Sequence, residues 1–150
     1  MKKYFVTFIF VFFFPLSASE IVACDCIRLE DPNLQVLVNY YYKRASVVFS
    51  GKVVKIDRKP NNNFVKVAFN VEKSWKRVLE NEVIVTTTNS DEDCGYSFKV
   101  GEKYLVYAYV DKNINELATT ICTRTSLLNS NKDVQALNKI EKSRIKSFLK

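Results

Sequence analysis

Four cysteines constrain this chain more than any other feature. Cys24-Asp25-Cys26 stands a few residues beyond an apolar leader, and Cys94 and Cys122 lie far downstream. Four cysteines allow three pairings. With one residue between them, Cys24 and Cys26 would close a strained ring, so each is expected to reach a distant partner. The two remaining pairings both staple the start of the chain to the segments around Cys94 and Cys122. A bridge closing so long a loop contributes about 4 kcal/mol in the loop-entropy account. The chain has no histidine. A structural zinc site wants four thiolate or imidazole ligands, commonly in paired short spacings, and a redox site wants Cys-x-x-Cys in a βαβ setting. Neither pattern is present.

The leader sets the compartment. Lys2 and Lys3 precede the apolar run Tyr4 to Leu16, which Pro15 interrupts, and Ser17, Ala18 and Ser19 follow. A membrane-spanning helix needs about 20 apolar residues, so this shorter run reads as a secretory signal peptide. We expect a signal peptide over residues 1–23 and a single domain over 24–150. Cleavage after Ser19 instead leaves Glu20-Ile21-Val22-Ala23 ahead of Cys24. Cleavage after Ala23 makes Cys24 the amino terminus, and Ile21-Val22-Ala23-Cys24 also reads as a lipobox that would place a lipid on Cys24. The residues leave these three open. The expected location is secreted or periplasmic, with lipoprotein anchoring at Cys24 as the variant, and a membrane contact is expected only with that lipid. Loss of Lys2, Lys3 and Glu20 lowers the net charge from +7 to +6.

Past the cysteine pair, hydrophobic period separates helices from strands. Leu34, Leu37, Val38, Tyr41 and Ala45 recur at helical spacing, which predicts a short helix near 33–44 after Pro32. The period then becomes two. Val47 to Ile56 is a valine-rich strand with Gly51 as a bulge or bend, and Lys59 to Asn63 is a turn. Val65, Val67, Phe69 and Val71 form a second strand, and Val83, Val85 and Thr87 a third. Tyr104, Val106, Ala108 and Val110 form a fourth, and Leu117 to Cys122 a fifth. Lys132 to Leu149 reads as a closing helix with Asn131 as its N-cap. Five short antiparallel strands with a helix near each end predict a mainly β, five-stranded OB-fold barrel. The sequence shows no internal repeat and no second domain.

The residues also carry a resemblance. Cys24-Asp25-Cys26, Ala45-Ser46-Val47-Val48-Phe49-Ser50-Gly51-Lys52-Val53, Val71-Glu72-Lys73-Ser74-Trp75-Lys76 and Cys94-Gly95-Tyr96-Ser97-Phe98 resemble the netrin-like module of the tissue inhibitors of metalloproteinases. The match ends with Gly101-Glu102-Lys103-Tyr104-Leu105-Val106-Tyr107-Ala108 and Cys122-Thr123-Arg124-Thr125. It covers nearly all of the mature chain and looks like a bacterial-type, single-domain member. The family usually has a small neutral residue at the position of Asp25, and a third disulfide in this module.

The resemblance implies Cys24 paired with Cys94 and Cys26 with Cys122 on an OB-fold. It also implies a secreted metalloendopeptidase inhibitor in which the α-amine and carbonyl oxygen of Cys24 chelate the zinc of a target protease. The implied protease-binding residues are Cys24, Asp25, Cys26 and Ile27, with Asn89, Ser90, Asp91, Glu92 and Asp93 alongside. Asp25 would point into the specificity pocket. The alternative is a non-inhibitory netrin-like module that binds another extracellular or envelope protein. An enzyme is not expected, since there is no histidine base and the cysteines are committed to bridges. No cofactor of its own is expected either. The Asp91-Glu92-Asp93 cluster reads as solvated surface. Tyr104, Tyr107 and Tyr109 would suit base or sugar stacking on an OB-fold face, but export argues against a nucleic-acid partner.

Overall fold

A computed structural model describes residues 24–27, 29–30, 32–60, 62–77, 80–89, 93–129 and 132–149. Residues 1–23, with the expected leader and its expected cut sites, and Ser90, Asp91, Glu92 and Asn131 lie outside the described residues. The chain is mainly β. Among the described residues the elements are α1 (Leu34–Arg44), β1 (Val47–Arg58), β2 (Phe64–Lys76), β3 (Glu82–Thr88), β4 (Lys103–Asp111), β5 (Glu116–Ala118), a 3₁₀ turn (Ile121–Thr123), β6 (Ser126–Leu127) and α2 (Lys132–Phe148).

Six strands make one sheet, and β1 pairs with β4 as well as β2. Following the pairings from β1 through β2, β3, β5 and β4 therefore leads back to β1. The expectation of wholly antiparallel strands fails at one place: β3 and β5 run parallel, meeting at Thr86 and Ala118. The fifth strand is also shorter than expected. The Thr119 hydroxyl is bonded to the Tyr107 carbonyl at 3.1 Å and the Thr120 side chain accepts from Cys122 N at 3.2 Å. Such side-chain bonds offer the backbone an alternative to the ladder, and the chain turns into the 3₁₀ turn. The two-residue β6 was not anticipated.

Strand alternation sorts side chains into two cores. One holds Val47, Phe49, Val53, Val65, Val67, Phe69, Val85, Phe98, Tyr104, Val106 and Ala108. Within it Phe69 meets Phe49 and Phe98 edge-on, with ring centroids 5.5 and 5.2 Å apart. The other lies under the helices and holds Val38, Tyr42, Val48, Trp75, Leu105, Tyr107 and Leu137. Both faces of β1 and β4 are thus covered, which is why Val47 to Gly51 is buried without interruption. Gly51 sits at a register irregularity against β2. A Cβ there would stand 2.8 Å from the Asn70 carbonyl oxygen, a close approach that only glycine tolerates.

α1 begins where the Asn33 side chain accepts from Val36 N at 2.9 Å. It ends against Lys76, whose ammonium donates to the carbonyls of Tyr42 (2.8 Å), Lys43 (3.2 Å) and Ala45. A cation here answers both the orphan carbonyls and the negative end of the helix dipole. Burial, then the nearby Arg144, lowers the Lys76 pKa. α2 is fastened by Asn138, which accepts from Trp75 Nε1 and Lys73 Nζ, each at 2.8 Å.

Tyr104 and Tyr107 are buried in different cores, leaving only Tyr109 of the β4 tyrosines partly exposed, so β4 presents no stacking face. Both faces of a central strand are taken. Burial pushes the Tyr104 hydroxyl up to about 12, and burial and then the Asp133 carboxylate push Tyr107 up as well. An unfolded tyrosine ionises near 10. Between about pH 10 and about 12 the unfolded chain therefore releases protons that folded Tyr104 keeps. Stability should be full below pH 10 and fall across that window. A spectrophotometric titration of tyrosinate should show Tyr104 and Tyr107 ionising last, and their replacement by Phe should remove the late phase.

Candidate functional site

The site is built from two loops that the sheet brings side by side. The first leaves β3: Thr88 Oγ1 donates to the Asp93 carbonyl at 2.8 Å, and Tyr96 N donates to Thr87 Oγ1 at 2.8 Å. Cys94 lies between these ties with φ 61°. A non-glycine residue in that left-handed region costs about 1–2 kcal/mol, so the surrounding bonds must hold it there. The second loop leaves β5 and enters the 3₁₀ turn carrying Cys122. There the Thr120 and Thr123 side chains reciprocally cap the turn. Behind it Thr119, Thr123 and Thr125 join hydroxyls, with Thr119 Oγ1 2.7 Å from each of the other two.

One backbone bond joins the loops: Ile121 N donates to the Cys94 carbonyl at 3.0 Å. Onto this joint the amino-terminal segment is bolted twice. Cys24 bridges to Cys94 with 5.5 Å between Cα atoms, and Cys26 bridges to Cys122 with 5.2 Å. These are the pairings that the family resemblance implies, and they decide between the two open choices. The bridges span separations of 70 and 96 residues, and either alone would contribute about 4–5 kcal/mol by loop entropy. Together they give less than the sum, because the first already restrains the ends that the second joins.

Between the bridges, Asp25 stands exposed, and Ile27 just beyond is 65 % exposed. Cys24 and Cys26 are half-buried. Asn89 and Asp93 are exposed on the first loop, and Asn89 N is tied to the Asn63 carbonyl at 2.7 Å. Ser90, Asp91 and Glu92, expected to flank the segment, lie outside the described residues. Ile121 was missed by sequence reading: it is 44 % exposed and neighbours the second bridge. An isoleucine directly before a bridged cysteine is the signal that could have found it. Exposed Asp25 and Ile27 thus flank Cys26, and exposed Ile121 directly precedes its bridge partner Cys122.

A cavity of about 310 Å³ opens behind the second bridge, lined by Tyr41, Arg44, Tyr107, Tyr109, Cys122 and Thr123 among others. The Tyr107 hydroxyl is buried with no hydrogen-bond partner among the described residues. Among the described residues no helix is long and apolar enough to cross a membrane.

No protein-family model and no curated protein matches the chain. The geometry of the bridged segment therefore carries the functional argument.

Replacing Cys26 and Cys122 together by Ala should lower the thermal midpoint sharply, with a loss of about 2–5 kcal/mol in denaturant unfolding. Proteolysis should then open the chain near its start while the fold around β1 and β4 persists. Equal stability of the variant and the parent would show that the bridge restrains nothing.

Proposed function

We propose that the chain is an exported inhibitor of zinc metalloendopeptidases on an OB-fold barrel of the netrin-like kind. The ring of strand pairings, the parallel contact of β3 with β5 and the core enclosed by the strands support the barrel. The observation that carries the inhibitor reading is the double bolting of Cys24 and Cys26 onto two loops that are themselves bonded together. Such a segment meets a partner with its conformation already set, so little ordering cost remains at binding.

Removal of residues 1–23 would make the α-amine of Cys24 the amino terminus. That amine, deprotonated, and the Cys24 carbonyl oxygen form a five-membered chelate on a partner's zinc. Catalytic zinc sites keep one open position for water, and the chelate would take it, removing the nucleophile that the metal activates. Ile27 and Ile121 supply apolar contact on either side of the bridges. Asp25 would enter the specificity pocket, where an unpaired carboxylate is costly to bury. The target class is therefore a zinc endopeptidase whose pocket offers a cation.

A second reading, a non-inhibitory netrin-like module for another extracellular protein, draws on exposed Ile27 and Ile121, whose contacts need no amine. Intact mass of the exported chain locates the amino terminus. Chain beginning at Cys24 should inhibit stoichiometrically, and one Ala added before Cys24 should weaken inhibition at least 100-fold, since the chelate cannot form. Inhibition unaffected by the added residue would overturn the zinc mechanism. Binding to an extracellular partner that ignores the added residue would support the second reading.

Substitution Asp25→Thr should shift selectivity. Inhibition of proteases with apolar pockets should improve more than 10-fold, the equivalent of about 1.4 kcal/mol, while those with a basic pocket are inhibited less. A panel of zinc endopeptidases with both pocket types reads the exchange.

A further inference from the structure

We propose that the outward face of α2 binds an anionic lipid surface. The inference stands apart from the inhibitor reading, since it uses none of the bridged segment. α2 carries two acidic residues, Asp133 and Glu141. Both face cations of the protein body. Asp133 receives two bonds from Arg124, at 2.7 and 2.8 Å. Glu141 lies 3.5 Å from the ammonium of Lys73. The acids of the helix are thus turned inward and compensated.

Four of its five cations are arranged the other way, while Arg144 donates to the Tyr42 hydroxyl. Lys132, Lys139, Lys142 and Lys146 follow one another at intervals of seven, three and four, which puts them along one helical face. All four are exposed, and none belongs to an ion pair among the described residues. Beside the far end of this row stand Ile145, 54 % exposed, and Leu149, 82 % exposed. A helix that is merely solvated gains from mixed signs at i, i+4, whereas here like charges follow at Lys142 and Lys146. A row of lysines with apolar side chains beside it is the pattern of a helix lying in a membrane interface.

Charge complementarity selects the occupant. The row is linear, its cations are long and mobile, and apolar groups accompany them. That matches the diffuse negative charge and the shallow apolar boundary of an anionic bilayer better than a discrete acidic pocket. It would bring the chain to a membrane without a lipid on Cys24.

Sedimentation of the exported chain with phosphatidylglycerol vesicles and with phosphatidylcholine vesicles tests the proposal. Binding should be confined to the anionic vesicles and should vanish in about 1 M salt, where the screening length is about 3 Å. Each lysine near such a surface is worth about fivefold in affinity. The triple variant Lys139→Gln/Lys142→Gln/Lys146→Gln should therefore bind roughly 100-fold more weakly, with unchanged circular dichroism and thermal midpoint. The control Lys52→Gln/Lys55→Gln/Lys112→Gln removes the same charge from other exposed positions and should bind like the parent. Equal binding to both vesicle types, no binding to either, or equal losses in the two triple variants would overturn it.

Discussion

The pairing of β1 with β4 is the constraint on which the rest depends. It runs from Val47 opposite Ala108 to Lys52 opposite Lys103, and it returns the chain of strand pairings to its start. Because both strands are covered on both faces, their alternate side chains feed two cores at once. Phe49 and Val106 belong to one core, while Val48 and Leu105 belong to the core under the helices. A slip of one residue would exchange the two sets, sending Phe49 and Tyr104 toward α1 and α2 and opening voids on both sides. Burying aromatic and branched side chains in two different shapes therefore fixes the register more firmly than one core could.

From that register the bridged segment follows. β4 presents the Tyr107 carbonyl to Thr119 and Thr125, which holds the chain beyond β5 in the turn that displays Cys122. β3, paired to β2 and touching β5 at Thr86, sets the loop of Cys94 beside it. The bond between Ile121 and Cys94 is only one backbone hydrogen bond, worth about 1 kcal/mol net. Its consequence is larger than its energy, because it ties together the two anchors of the Cys24-Asp25-Cys26 segment.

Much of this was legible from residues. Hydrophobic alternation located β1 to β4 because those strands have one face, or both, against a core, and Gly51, read as a bulge or bend, does sit at a register irregularity. The helix from Leu34 was legible from its spacing, although Tyr42 rather than Tyr41 is the buried tyrosine. Reading failed where side chains compete with the backbone. The threonines at 119, 120, 123 and 125 look like strand formers, yet the hydroxyls of Thr119, Thr123 and Thr125 bond to one another, Thr119 and Thr125 bond to the Tyr107 carbonyl, Thr120 accepts from Cys122 N, and the strand ends early. The parallel contact at Thr86 was also invisible, since one residue pair leaves no periodic trace. In the candidate site the cysteines were legible and Ile121 was not. Its exposure results from the turn that the threonines impose, and its place directly before Cys122 is the one signal that marked it.

Two terms of opposite sign meet at Asp25. Preorganisation by the bridges spares a partner about 0.5–1.5 kcal/mol for each side chain already ordered. Taking an unpaired carboxylate out of water costs several kcal/mol. Rigidity alone therefore would not offset Asp25 entering an apolar pocket, and the same rigidity limits how far the backbone at Asp25 can retreat, since its neighbours on both sides are bridged. A flexible terminus could turn such a carboxylate back to solvent at little cost. In the proposed inhibitor the bolted segment would hold it forward, so the arrangement would penalise apolar pockets and reward a pocket that places a cation within hydrogen-bond reach. The two disulfides of the proposed inhibitor would thus convert the charge of Asp25 from a general burden into a criterion of choice among partners.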